Sequence, residues 1–210
     1  MPSMSSLVGF ALVALGLVIT PGPNMMYLVS RSICQGRRAG LVSLGGVGLG
    51  FLVYMVATAF GITALLFTVP FAYDVLRLAG AAYLLHLAWQ ALKPGGQSAF
   101  QVRDLPADSN RRLFMMGFLT NLLNPKAAIL YLSLLPQFID PTRGTVLAQA
   151  LLLGGVQITI SLTVNALIAS AAGSIAVFLR SRPMWMVLQR WLMGTVLAGL
   201  GLRMAFESRK

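Results

Sequence analysis

One lysine sets the chemical question in this sequence. Lys126 sits in the run NLLNPKA, thirteen residues from either end of an apolar block over 113–139. Thirteen helical residues rise about 20 Å, farther than a lysine side chain can snorkel. A lysine at that depth costs about 2.5–3.5 kcal/mol on membrane-insertion scales and marks a functional position by default. The bland alternative is a lysine that caps carbonyls freed by a proline, and the two roles are compatible. Asn121 and Asn124 bring donors and acceptors to the same depth. Pro125 removes a helical hydrogen bond and frees the carbonyl of Asn121. A second cluster of this kind, TPGPN, lies at 20–24. There Pro21 and Pro23 free the carbonyls of Leu17 and Ile19, Gly22 permits close approach, and Asn24 adds an amide. Bare carbonyls are costly in hydrocarbon unless a neighbour or a ligand satisfies them. Carbonyls can face an ammonium, while amides and a half-helix N-terminus face a carboxylate. That is the chemistry for holding a zwitterion.

The elements that must position these groups follow from composition. Of 210 residues, 57% are hydrophobic and only 10% charged, and mean hydropathy is +0.80. A soluble domain is about a quarter charged. The stretches 1–30, 39–73 and 144–179 contain no Asp, Glu, Lys or Arg. Runs of that length read as membrane spans, which excludes soluble and disordered classes and predicts an all-α polytopic membrane protein in a lipid bilayer. The net charge of +11 comes from basic cuffs between apolar blocks rather than a stripe on one face. It therefore predicts attraction to the inner leaflet and no nucleic-acid partner. Cys34 is the single cysteine, so no intramolecular disulfide and no thiol conduit is expected.

Apolar blocks and turn signals predict six transmembrane helices, over 7–30, 41–67, 71–92, 113–139, 146–179 and 184–206. The first lacks a basic leader and carries Pro-Gly-Pro where a signal peptide would be cleaved, so it is kept as a span. The fifth is long enough to require tilt or an extra turn near 171–174. Odd-numbered connections carry Arg31, Arg37, Arg38, Lys93, Arg103, Arg111, Arg112, Arg180 and Arg182; the opposite side carries Arg143, Arg209 and Lys210. The positive-inside rule then puts the odd loops in the cytoplasm and both termini outside.

A cytoplasmic linker over 93–112 separates a first three-helix repeat, 1–92, from a second, 113–210. Three is odd, so related halves would be inverted. Each half opens with a broken helix, at TPGPN and at NLLNPKA, then a basic glycine-containing turn, then Gly-Gly-Val. Inverted repeats with broken first helices are a transporter pattern.

Asp74 and Arg77, at i and i+3 in the third span, either neutralise each other or act in gating or coupling. Tyr54, Gln157 and Asn165 are polar members of apolar helices and either line a cavity or bond across helices. One His, one Cys and five acidic residues give no hydrolytic or redox constellation, no metal cluster and no cofactor motif. The chain is not expected to be an enzyme. Without a nucleotide site, active transport must draw on an ion or proton gradient.

TPGPN, RLAGAAYLLHLAWQALK and GFLTNLLNPKAAILYLSLLPQFIDP resemble the LysE/RhtB family of amino-acid exporters, over essentially the whole chain. The resemblance implies gradient-driven efflux of amino acids or close derivatives from the cytoplasm; with the paired helix breaks and the buried lysine, the expectation is proton-coupled transport by alternating access across a bacterial-type inner membrane. The homoserine, threonine and leucine branch is the most similar. It carries the family's pattern onto Pro21, Gly22, Pro23, Asn24, Asn124, Pro125 and Lys126. The chain departs from the family in having Tyr54 where a His is frequent, and in lacking an acid around Ser161 and Leu162. Glycine-rich faces permit a homodimer. Two rival readings are a divalent-cation exporter of related fold and a non-transporting membrane scaffold. The cation exporter needs clustered acids or histidines that the chain lacks, and a scaffold has no use for two broken helices and a mid-membrane lysine.

Overall fold

The computed structural model describes residues 2–20, 22–68, 78, 81–82, 85–86, 88–89, 92–93, 108–180 and 183–206. Pro21, Asp74 and Arg77 lie outside the described residues, as do most of the third predicted span and most of the linker. The chain is all-helical, as its apolar blocks require, with no strand among the described residues. Helix α1 covers Met4–Ile19 and is capped by Ser3, whose hydroxyl accepts from the Ser6 amide at 3.0 Å. Helix α2, Pro23–Gln35, starts on a proline at N1, where the missing N–H costs nothing. The first predicted span is thus two helices meeting at 51°, and the second runs five residues past the predicted end at Ser30.

Gly36 alone separates α2 from α3, Arg37–Thr68; its φ of 85° is a left-handed conformation that glycine adopts without strain. Helix α4, Asn110–Leu122, is capped by Ser109. It breaks at Leu123–Asn124; α5, Pro125–Ile129, follows, and the segment Lys126–Phe138 leaves at 52° to α4. The chain continues through a π-turn at Leu130–Leu134 and a 3-10 turn at Leu135–Phe138. Helix α6, Val146–Arg180, is uninterrupted over 35 residues, so the predicted extra turn at 171–174 is absent and the helix passes straight through. At 1.5 Å per residue it is about 52 Å long and exceeds a bilayer core. Helix α7 is Pro183–Phe206.

Two helical stretches, Arg37–Gly61 and Val146–Ala172, are apolar and long enough to cross a membrane alone, and each bent pair makes a further candidate span. Exposure is inverted relative to a soluble protein, as lipid requires. Leu12, Leu52, Val56, Phe60 and Leu167 point outward, whereas Asn24, Asn121, Asn124, Gln149, Gln157 and Asn165 are buried. Buried Gln149 accepts from the Asp140 amide and donates to the Asp140 carbonyl, and so satisfies the irregular turn before α6. Facing it, the Thr142 hydroxyl and amide, with Arg143, hold the Asp140 carboxyl below the usual carboxylate range.

Helix α3 packs most extensively on α4 and next on α6. The α3–α4 seam is backbone against backbone. A Cβ on Gly46 would collide with the Phe114 carbonyl, and one on Gly117 with the Ser43 carbonyl. Such small residues let membrane helices approach closely. At one end of the molecule Arg31 of α2 forms an ion pair with Asp108, which leads into α4; their side chains are 9% and 2% exposed. The Arg31 guanidinium lies 5.6 Å from the Tyr27 ring centroid. Arg112 reaches Asp108 from the outside at 3.0 Å, and the Asp108 amide donates to Gln35 at 2.9 Å. The last linker residues are therefore a buried tie between the two halves of the chain.

We expect Gly46→Ala and Gly117→Ala each to destabilise the protein by about 1–3 kcal/mol through forced separation of α3 and α4. Gly155→Ala, with nothing within 4 Å of its new Cβ, is the control. Thermal unfolding in detergent should show both seam variants melting earlier than wild type, and the control unchanged.

Candidate functional site

Helix breaks leave backbone groups without their helical partners, and each break here is closed from across the molecule. The chain turns out of α1 at Thr20, in extended conformation. Thr20 keeps its own N–H and hydroxyl on the Gly16 carbonyl, at 3.3 and 2.7 Å. Its own carbonyl accepts from Lys126 Nζ at 2.7 Å. Lysine therefore caps a carbonyl, as the bland reading anticipated, but that of Thr20 rather than of Leu17 or Ile19. Chain direction, and not proline alone, sets which carbonyl the lysine reaches.

The second break uses the same logic in the other direction. Pro125 cannot bond the Asn121 carbonyl, which accepts instead from the Asn124 amide at 3.0 Å. The Lys126 amide is diverted to Asn124 Oδ1 at 3.0 Å, an N-cap for α5. That diversion leaves the Leu122 carbonyl short of its donor. The Tyr54 hydroxyl of α3 supplies it at 2.8 Å. Tyr54 also stacks on Tyr131, with centroids 5.7 Å apart.

Between the two breaks lies a cavity of about 40 Å³. Its polar lining is Lys126, Asn24, Asn124, Gln157, Ser161 and Asn165, and its apolar lining includes Leu17, Val18, Phe51 and Leu130. Lys126 Nζ would sit 3.4 Å from a Cβ on Gly22, so the ammonium lies against the glycine that opens α2. Gly22 makes no side-chain cap for α2. Pro23 carries no N–H and the Met26 amide donates to the Gly22 carbonyl at 2.9 Å, so the remaining first-turn amides of that helix are those of Asn24 and Met25. Asn24 is buried, and its Oδ1 has no partner among the described residues.

Of the residues singled out from sequence, Gly22, Asn24, Asn124, Lys126 and Asn165 thus share one cavity. Pro23 and Pro125 open α2 and α5 without appearing in its lining. Asn121 is fully buried but outside the lining. It packs where Gly50 leaves space, and neither of its amide atoms has a partner among the described residues. Tyr54 holds the break rather than the cavity wall. Gln157 proves to do both things considered for it, lining the cavity and accepting from Tyr131 at 2.5 Å. Ser161, Phe51 and Met25 had not been singled out as lining. The available signal was that Gln157, Ser161 and Asn165 recur at i, i+4 and i+8, one face of α6.

Comparison with known proteins agrees in extent with this architecture. The family profile described as LysE type translocator matches residues 15–208. The homoserine/homoserine lactone efflux protein of Salmonella typhimurium is 32% identical over 165 residues, 78% of this chain and 79% of that protein. The leucine efflux protein of Klebsiella pneumoniae is 27% identical over 197 residues, 91% of each chain. No solved structure matches the chain.

Tyr54→Phe keeps the ring stack but strips the Leu122 carbonyl of its donor. We expect a loss of about 1 kcal/mol in stability, the size of one hydrogen bond between membrane helices. Chemical or thermal unfolding against wild type in the same detergent measures it.

Proposed function

The chain belongs to the LysE type translocator family, and on that footing we propose that it is a secondary transporter carrying amino acids or close derivatives out of the cytoplasm. The observation that carries this reading is Lys126, a lysine that lines a cavity between two broken helices and whose Nζ makes one hydrogen bond among the described residues. The efflux function named for its relatives, in one case of homoserine and its lactone and in another of leucine, supports the same substrate class. In this reading the substrate carboxylate accepts from Lys126 Nζ and the first-turn amides of α2. The ammonium donates to Asn24 Oδ1, and Asn124 closes the polar end. Leu17, Val18, Phe51 and Leu130 take the carbon skeleton.

In this reading the lining elements part to load and release substrate. We take the moving bodies to be the two halves, 1–92 and 113–210, as inverted three-helix repeats that rock about the seam and alternate access. The near-equal bends at the two breaks, 51° and 52°, support that relation. Drive would come from the proton gradient across the inner membrane. The basic side, with the Arg31–Asp108 pair, would face the cytoplasm, and both termini the outside.

Cells overexpressing the chain and fed a panel of dipeptides should release one or a few amino acids faster than empty-vector cells. Lys126→Ala, at equal membrane abundance, should lose that excess by roughly tenfold or more, the effect of removing a charge-assisted contact of about 1.5–3 kcal/mol. Equal efflux by variant and wild type would remove Lys126 from the mechanism. A reporter active only outside the inner membrane, fused after Lys210, should be active; silence with full expression would reverse the assigned orientation.

A further inference from the structure

The cavity wall formed by α6 holds a directed chain of hydrogen bonds that neither the capping of the breaks nor the carboxylate site uses. The Tyr131 hydroxyl, fully buried, donates to Gln157 Oε1 at 2.5 Å. This bond has only one direction, because an amide oxygen can only accept. It fixes the Gln157 amide so that Nε2 faces Ser161, and Nε2 donates to Ser161 Oγ at 2.7 Å. An amide nitrogen can only donate, so the serine oxygen accepts and its own proton is left over. Among the described residues that proton has no acceptor, although Ser161 is 2% exposed and lines the cavity. One turn further, Asn165 Nδ2 donates to the Ser161 carbonyl at 2.8 Å and holds the stripe in register.

We propose that Ser161, polarised through Tyr131 and Gln157, determines specificity by donating to an oxygen on the substrate's side chain, so that the site selects hydroxyl- or carbonyl-bearing amino acids over aliphatic ones. The inference rests on the export reading above and deepens it. The carboxylate end is already supplied by Lys126, at the junction of α1, α2 and α5. The donor from α6 comes from a different element of the same lining, which also includes Leu130 and Phe51, the residues assigned above to the carbon skeleton. An aliphatic side chain there would leave a buried donor unpaired, whereas a hydroxyl or carbonyl oxygen pairs it. One such unmade bond shifts preference by roughly tenfold. Ser161 touches substrate; Tyr131 and Gln157 are positioning residues that act by orienting it.

The test uses full-length protein in proteoliposomes, loaded with L-homoserine or with L-norvaline, which differ by a hydroxyl in place of a methyl. Wild type should export homoserine roughly tenfold faster than norvaline. Ser161→Ala should bring that ratio close to one, Ser161→Thr should restore it, and Tyr131→Phe should lower it in the same direction. The ratio is internal to each preparation, so a difference in folded fraction cancels. A wild-type ratio near one, or a Ser161→Ala ratio equal to wild type because both rates hold or both fall together, overturns the assignment. Export of neither compound, nor of any amino acid in the dipeptide panel, overturns the export reading itself and this one with it.

Discussion

Backbone carbonyls that leave a helix inside hydrocarbon must find a donor, and that requirement organises this molecule. Breaking α1 from α2 strands the Thr20 carbonyl, and breaking α4 from α5 strands that of Leu122. Their donors come from the opposite half of the chain in each case, Lys126 reaching Thr20 and Tyr54 reaching Leu122. A third bond crosses the same way, from the Tyr27 hydroxyl to the Leu113 carbonyl at 2.9 Å. The breaks open space for polar chemistry and also create the bonds that tie the halves around it.

The ties differ in kind, and the difference sorts fixed parts from parts able to move. At Gly46 and Gly117 the α3 and α4 backbones are in contact. A seam of that sort cannot slide without opening voids or driving atoms together. The lysine bond, by contrast, is held on a long flexible stem and can follow a moving carbonyl or exchange it for a carboxylate. The Arg31–Asp108 pair lies between these limits. Little exposed, it is costly to part with either charge unmatched, yet Arg112 already stands at 3.0 Å as a second cation for Asp108. The geometry thus concentrates replaceable contacts around the cavity and irreplaceable ones along α3 and α4.

Much of this was legible in the sequence because its causes are local. Proline beside asparagine in an apolar run breaks a helix wherever it occurs, so TPGPN and NLLNPKA located both breaks, and the depth of Lys126 followed from counting. What was not legible depends on which groups meet. The carbonyl capped by Lys126 is set by the direction in which the chain leaves α1, and hence Thr20 replaces Leu17 and Ile19. Asp108 fell within the predicted linker over 93–112 because nothing in its neighbourhood betrays Arg31, 77 positions earlier. Ser161 was passed over since a lone serine in a membrane helix is unremarkable until Gln157 is seen to accept from Tyr131 and donate to the serine. The match to the translocator family over 15–208 fixes the class of protein but is equally silent on these pairings.

The balance of charge in the cavity bears on how such a site releases what it holds. Among the described residues Lys126 is the one titratable side chain in its lining, and the other polar groups are amides and a hydroxyl. A carboxylate partner for the substrate's ammonium would tighten binding, and a transporter must also let go; favourable but modest contacts at several points serve turnover better than one strong pair. Amides also discriminate by geometry, since each has one accepting and one donating end fixed by its other bonds. Gln157 is held by Tyr131 and Ser161, Asn124 by the Lys126 amide, and Asn165 by the Ser161 carbonyl. Asn24, with its oxygen unpartnered among the described residues, is the lining amide left with an accepting end to offer.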